Sequence, residues 1–86
     1  MPSIDELEKS LKAYILEEFL PDEDEDDLTN DIELVSTGIL DSVSVIKVVA
    51  HIENFYNIKI QAHEASVDNM NTIESMAALV SGKLTD

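Results

Sequence analysis

The spacing of apolar residues at the start of the chain constrains the fold most strongly. Between residues 4 and 19 they recur every three or four positions, as on one face of an α-helix, and charged residues fill the other face. Ser3 and Glu6 can form a capping box at the start of this helix. Leu20-Pro21 predicts its end, because the residue before a proline avoids helical backbone. The apolar stripe consists of Ile4, Leu7, Leu11, Ile15 and Phe19.

A second helix is predicted from Ser42 to Phe55 or Tyr56. Its β-branched residues could be misread as a strand, but its length, its lack of strict alternation and an N-cap at Asp41 favour a helix. The Asp41 carboxylate is expected to accept the backbone N–H of Ser44. This stretch holds nine apolar residues, which is more than one core-facing stripe needs. One stripe suits the core and consists of Val45, Val49, Ile52 and Tyr56.

A neighbouring stripe on the second helix has two possible interpretations. It suits either further packing in the core or a partner protein that docks beside Ser42. Both interpretations stay open from the residues alone. The stripe consists of Val43, Ile46 and Ala50, with Lys47 beside them.

A long first loop, residues 21–41, connects these two helices. It opens with six consecutive acids from Asp22 to Asp27, and Gly38 near its end supplies a backbone conformation that other residues resist. Apolar residues behind the acids are expected to pack the loop onto the body of the domain. These are Leu28, Ile32, Leu34, Ile39 and Leu40.

The remaining residues predict a short helix and a last long one. A segment around His63 to Val67 is expected to form one helical turn or two. Asn71 or Thr72 caps the last helix, and we expect the core to include Met70 and the aromatic side chains Tyr14, Phe19, Phe55 and Tyr56. The inner face of the last helix is formed by Ile73, Met76, Ala77 and Val80. The pattern predicts an all-α fold, a small antiparallel four-helix bundle with three long helices, one short helix and a long first loop.

Length and charge narrow the classes of function. The chain has 86 residues, a formal net charge of −14 and no cysteine. This length predicts a single domain over residues 1–86 with a thin core. The charge argues against nucleic acid and anionic membranes as partners, and favours partners with basic surfaces. Without cysteine, any thiol must be imported. No signal peptide or membrane-spanning run is visible, so we expect a cytoplasmic monomer that does not insert into membranes.

Ser42 is predicted to lie exposed in the first turn of the second helix. A helix start favours a phosphate there, because free backbone N–H groups and the helix dipole both attract negative charge. Catalysis by Ser42 itself would need a base within hydrogen-bond reach. His51 lies nine residues later, about 13 Å along the axis and on the opposite face. Ser42 is therefore interpreted as an attachment point on which another enzyme acts.

These residues resemble the acyl carrier protein family, which includes peptidyl and aminoacyl carriers. The family signature, Gly-x-x-Asp-Ser-[Leu/Val/Met] at the start of the second of four helices, stands here as Gly38-Ile39-Leu40-Asp41-Ser42-Val43. The resemblance continues through ENFYNIKI, residues 53–60, and through the last helix, NTIESMAALV. It covers most of the chain and agrees with its length and acidity.

The resemblance implies a carrier and not an enzyme. A phosphopantetheinyl transferase would move the 4'-phosphopantetheine arm of coenzyme A onto Ser42, and the thiol of the arm would carry an acyl or aminoacyl group as a thioester. A loading ligase and downstream transferases with basic surfaces would be the other partners. Asp41 would cap the helix and also meet a basic side chain of the transferase. The partner-contacting face of the family corresponds to Val43, Ile46, Lys47 and Ala50.

The second helix departs from the carriers of fatty acid biosynthesis, which surround this site with acids. Ser44, Lys47 and His51 stand where acids are common, and Glu53 is the acidic residue that remains on this helix. We therefore expect a specialised carrier, for an amino acid or an unusual acyl group, rather than the housekeeping fatty-acid carrier.

Two other functions fit parts of the sequence. Residues 22–33 are similar to an EF-hand calcium loop, with acids at its first, third and fifth positions and Glu33 at the twelfth. However, Asp27 occupies the position that needs glycine, and no metal site is predicted. His51 and His63 are expected to be polar surface residues rather than metal ligands. The remaining alternative is an acidic helical adaptor that binds a basic partner and carries nothing.

Overall fold

The computed structural model describes residues 3–85, and these residues form four helices without a β-strand. Three of the helices are long and one is short, as predicted. Both the first and the second helix begin and end at predicted residues. The helices are α1 (Ile4–Phe19), α2 (Ser42–Tyr56), α3 (Val67–Met70) and α4 (Ile73–Thr85), with 3₁₀ turns at Glu25–Asp27 and Ala62–Glu64.

The core lies mainly between α1 and α4, which pack against each other. Ser3 Oγ accepts the Glu6 backbone N–H at 3.2 Å and so caps α1. Ile4 is 43% exposed, because the predicted stripe extends beyond the core at its first residue. The side chains that α1 buries are Leu7, Leu11 and Ile15, and α4 buries all four predicted residues, Ile73, Met76, Ala77 and Val80.

Asn71 and Thr72, the two candidate caps of α4, have different roles. Thr72 Oγ1 accepts the Ser75 backbone N–H at 3.1 Å and caps the helix. Asn71 instead holds the first loop: its Oδ1 accepts the backbone N–H groups of Val35 and Ser36 at 2.9 and 3.0 Å. Its Nδ2 donates to Ser36 Oγ at 3.0 Å. This asparagine therefore ties the loop that leads to Ser42 to the junction of α3 and α4.

The first loop packs onto the body mostly as predicted. Leu28, Leu34 and Leu40 are buried, whereas Ile39 is 38% exposed and was wrongly assigned to the packed set. The Leu40 backbone N–H donates to the Leu34 carbonyl at 2.9 Å, and the Leu40 side chain lies in the core. Neighbouring residues in non-helical backbone tend to point to opposite sides, so Ile39 faces outward.

The segment before α4 is longer and more divided than the sequence suggested. A 3₁₀ turn at Ala62–Glu64 is followed by α3, which ends at Met70. Glu64 accepts the Gln61 backbone N–H at 2.9 Å and forms an ion pair with Lys83 of α4 at 2.6 Å. Both interactions lower the pKa of Glu64, with the Lys83 contact contributing most. The ion pair fixes this segment against the last helix.

Aromatic rings join α1 to α2. The Tyr14 ring stacks on His51 with centroids 3.7 Å apart and planes 6° apart, and the Tyr14 hydroxyl donates to the Lys47 carbonyl at 3.3 Å. Phe55, expected in the core, is 62% exposed beside His51. Val48 and Ile52 fill the inward side of α2 instead, and both are fully buried. The helical rotation thus leaves Phe55 on an outer flank of α2.

Candidate functional site

A tight turn delivers the chain to the start of α2. Gly38 has a φ of +84°, in the left-handed region that side chains with a Cβ rarely adopt. No atom lies within 4 Å of the position where a Cβ would stand, so the backbone angle rather than space favours glycine here. The Gly38 backbone N–H donates to the Val35 carbonyl at 3.1 Å. The turn places Asp41 and Ser42 at the beginning of the helix.

Asp41 caps α2 as predicted. Its Oδ1 accepts the Ser44 backbone N–H at 2.8 Å, and its carbonyl accepts the Val45 N–H at 2.9 Å. The hydrogen bond from the Ser44 backbone, followed by one from the Ser44 side chain, lowers the pKa of Asp41. The carboxylate is therefore held ionised at the positive end of the helix dipole, where negative charge is favourable.

Ser42 is the first residue of α2 and is exposed. Within residues 3–85, its hydroxyl makes no hydrogen bond to a histidine or a carboxylate. His51 is engaged in the stack with Tyr14 on the flank of the helix that faces α1. The hydroxyl is thus accessible to an external reagent and has no base of its own, which fits the role of a covalent anchor.

A cleft of about 450 Å³ begins beside Ser42 and runs between α2 and the segment that contains α3. Its walls are mainly apolar, and Glu53 and Ser66 add polar atoms. The sequence pattern did not reveal this cleft, because its second wall comes from a segment without a periodic signal of its own. The apolar walls include Val45, Val49, Ala65, Val67 and Met70.

The second apolar stripe of α2 is exposed and does not extend the core. Val43 and Ile46 are 62% and 67% exposed, and Ala50 and Lys47 are also exposed. The exposure of these side chains places the stripe on the surface, whereas the sequence allowed either the core or the surface. A partner that docks beside Ser42 would meet them.

Glu53 has a structural contact that the sequence did not predict. Its Oε2 accepts the backbone N–H of Ile60 at 2.9 Å and so closes the turn after α2. Asn57, at the end of the helix, adopts left-handed backbone with a φ of 55°. Residue types alone do not distinguish a glutamate that forms such a bond from a free surface acid.

The acidic run lies on the surface of the first loop. Asp22 to Asp27 are exposed, and nowhere in the described part of the chain do three or more His, Cys, Asp or Glu side chains lie where they could hold a metal ion. None of the helices in residues 3–85 combines the length and the apolar character needed to cross a membrane.

A small helical domain that presents one serine hydroxyl at a helix start has the features of a carrier domain. A family model for the phosphopantetheine attachment site matches residues 13–80, which include Ser42 and the whole cleft. The chain belongs to this family, whose domains bear a covalently attached 4'-phosphopantetheine and work with partner enzymes such as phosphopantetheinyl transferases. A comparison with curated proteins returned no match.

Proposed function

We propose that this chain carries acyl or aminoacyl groups as thioesters on a 4'-phosphopantetheine arm attached to Ser42, and passes them between partner enzymes. The observation that carries this proposal is the exposed Ser42 hydroxyl at the start of α2, beside an apolar cleft and inside the region matched by the attachment-site family. The arm supplies a thiol, and the chain itself has no cysteine.

The attachment step needs little from this chain beyond the hydroxyl. Ser42 Oγ forms a bond to the phosphorus that bears the pantetheine portion of coenzyme A, while the bond from that phosphorus to the bridging oxygen of the pyrophosphate breaks. The adenosine 3',5'-bisphosphate portion leaves with the electron pair. The hydroxyl proton passes to a base of the transferase, because no histidine or carboxylate within residues 3–85 is bonded to Ser42.

Asp41 is proposed to orient this encounter. Its Oδ1 accepts the Ser44 backbone N–H at 2.8 Å, and the carboxylate is exposed, so it can also meet a basic side chain of the transferase. The hydrogen bonds from Ser44 lower the pKa of this carboxylate and so favour its charged form. Asp41 is therefore a positioning residue, and Ser42 accepts the arm.

The surface around Ser42 supports a specialised carrier rather than the housekeeping carrier of fatty acid biosynthesis. The exposed side of α2 presents apolar residues and Lys47 where the fatty-acid carriers present acids. The cleft has room for a small cargo, and its walls favour an apolar portion in that cargo. An amino acid with an apolar side chain or a short acyl group fits both observations.

Intact mass spectrometry tests the proposal directly. The chain is coexpressed with a broad-specificity phosphopantetheinyl transferase, and we expect a gain equal to one phosphopantetheine arm. Ser42→Ala should abolish the gain, whereas Ser44→Ala, two residues later in the same turn, should retain it. An unmodified mass with several transferases, from a chain that is folded by circular dichroism, would contradict the carrier function and favour a non-carrying adaptor.

A further inference from the structure

The two walls of the cleft beside Ser42 are held in different ways. One wall is α2, and the other comes from residues 61–70, which we call the wall segment. This segment contains the 3₁₀ turn Ala62–Glu64 and α3, and α3 packs against α4. The wall segment is therefore in contact with α4 and is separated from α2 along the cleft. Its lining residues are Ala65, Ser66, Val67 and Met70.

The wall segment is anchored in the core at its two ends. Ile60, just before it, is 7% exposed and donates its backbone N–H to Glu53 Oε2 at 2.9 Å. Met70, its last residue, is fully buried, and Asn71 follows with its bonds to the first loop. Every residue from 61 to 69 is at least partly exposed. Core packing therefore fixes the ends of the segment, and its middle depends on other contacts.

Glu64 joins the two halves of the wall segment. Its side-chain Oε1 accepts the Gln61 backbone N–H at 2.9 Å, which closes the 3₁₀ turn. Its backbone carbonyl accepts a hydrogen bond from Asn69 Nδ2 at 2.9 Å, which ties the turn to α3. A contact that holds the Glu64 side chain therefore holds both the turn and the part of α3 that lines the cleft.

Lys83 of α4 binds this glutamate from outside the segment. Its Nζ lies 2.6 Å from Glu64 Oε1, and the side chains of Lys83 and Glu64 are 22% and 20% exposed. Within residues 3–85 this is the one ion pair, in a chain with five lysines and 19 acids. A pair that is mostly withdrawn from water is screened less than a surface pair, and removal of one partner leaves the other charge partly buried and unpaired.

We infer that Glu64 and Lys83 are positioning residues, which hold the wall segment against α4 and so keep the cleft open for cargo. This inference rests on the proposed function, because cargo is what the cleft would hold. Apolar surfaces in water tend to meet, and both walls of the cleft are mainly apolar. A segment fixed only at its two ends would move towards α2 and narrow the cleft. The ion pair to α4 opposes this movement.

Methyl NMR on the unmodified chain tests the position of the wall segment directly. Val49 and Val67 line opposite walls of the cleft, so the nuclear Overhauser effect between their methyl groups increases as the cleft narrows. Lys83→Gln and Glu64→Gln each remove one charge of the pair, and Glu64→Gln keeps an acceptor for the Gln61 N–H. In both variants we expect this effect to grow by at least about twofold relative to the wild type.

Matched variants separate the ion pair from a general loss of stability. Lys83→Arg keeps the positive charge and should give the same methyl effect as the wild type. Lys9→Gln removes an exposed lysine on α1 and should also match the wild type. Thermal unfolding and circular dichroism show that each variant retains the fold.

A second measurement relates the wall segment to cargo. A broad-specificity phosphopantetheinyl transferase supplied with hexanoyl-coenzyme A loads a hexanoyl arm onto Ser42, and hydroxylamine then cleaves the thioester. We expect cleavage to be about threefold faster in Lys83→Gln than in the wild type, because a narrowed cleft leaves more of the hexanoyl group in water. Lys83→Arg should restore the rate of the wild type.

The outcomes separate this inference from the function on which it rests. If no arm is added to Ser42, the carrier function fails, and the NMR series still decides whether the ion pair holds the wall segment. If the arm is added but the methyl effect or the cleavage rate is the same in the wild type and Lys83→Gln, the carrier function stands and the positioning role is overturned. The same conclusion follows if Lys83→Arg behaves as Lys83→Gln does.

Discussion

At the scale of single residues, substitution can separate the observed capping role of Asp41 from its proposed recognition role. Its carboxylate caps α2, and we propose that its charge also meets the transferase. Asparagine caps helices about as well as aspartate but has no charge, whereas alanine does neither. The two substitutions therefore report on different properties of one side chain.

Asp41→Ala should lower the melting temperature by about 5 °C through the lost cap, and Asp41→Asn should leave it nearly unchanged. Both variants should slow arm attachment, because both remove the charge. Thermal unfolding and the rate of mass gain with transferase measure the two effects, with Asp22→Ala in the exposed loop as the control. Normal attachment to a folded Asp41→Asn protein would refute the recognition role.

Asn71 is the second residue on which the site depends. It forms three side-chain hydrogen bonds to Val35 and Ser36, and these hold the first loop against the junction of α3 and α4. Asn71→Ala should lower the free energy of unfolding by about 2 kcal/mol, because it leaves the backbone N–H groups of Val35 and Ser36 without their side-chain acceptor.

Urea denaturation measures this loss, and Asn54→Ala on the exposed side of α2 provides the control, with a change of no more than about 0.5 kcal/mol. Equal stability of the two variants would show that the Asn71 side chain is not needed to hold the loop.

At the scale of the elements, the contact between α1 and α2 should respond to pH. Burial against Tyr14 lowers the pKa of His51 below its ordinary value of 6.5, and the Glu18 carboxylate partly opposes this. The unfolded chain then binds the proton more readily than the folded one, so stability is highest above pH 6.5 and falls as pH drops through 6.5 towards the folded-state pKa.

Urea midpoints at about pH 7.5 and about pH 5.5, a range in which histidine titrates and most carboxylates do not, test this effect. The wild type should lose stability at the lower pH. His51→Phe, which keeps a stacked ring without a titrating group, should lose less, and His63→Gln at an exposed position should behave as the wild type. An identical pH dependence in all three proteins would rule out His51 as the cause.

The helices that carry local signals could be predicted from the sequence, and the parts that depend on distant residues could not. Capping side chains and the spacing of apolar residues predicted where α1 and α2 begin and end, because these signals act within one or two helical turns. The exposure of Phe55 depends on Val48 and Ile52 having filled the inward side of the same helix. α3 has four residues and no side-chain cap bond, so it offered no local signal.

The site divides in the same way. Asp41 and Ser42 were predictable because a cap and the residue after it are adjacent in sequence. The bonds of Asn71 to the first loop span 35 and 36 positions, and no spacing rule predicts them. The cleft could not be predicted for the same reason, because its two walls come from α2 and from residues near α3.

At the scale of the whole molecule, the charge of −14 should make stability depend on salt. The radius of gyration is 11.8 Å, so the carboxylates are crowded and repel one another in the folded state. Added sodium chloride screens this repulsion, and the melting temperature should rise by several degrees between about 0.05 and about 0.5 M.

A double variant, Asp24→Lys with Asp26→Lys, replaces two negative charges of the exposed run by two positive ones and should reduce the gain from salt. Scanning calorimetry of both proteins over the salt series measures the difference. A melting temperature that does not change with salt in the wild type would contradict the crowding of charges.

The helix that bears Ser42 is fastened at both ends by its own acids, Asp41 at the first turn and Glu53 to the turn beyond the last. These hydrogen bonds disfavour fraying at both ends of the helix, so we expect its first residue to be held in place. A group attached to Ser42 would then move between enzymes by rotation about the bonds of its arm. The backbone at Ser42 would contribute little to that movement.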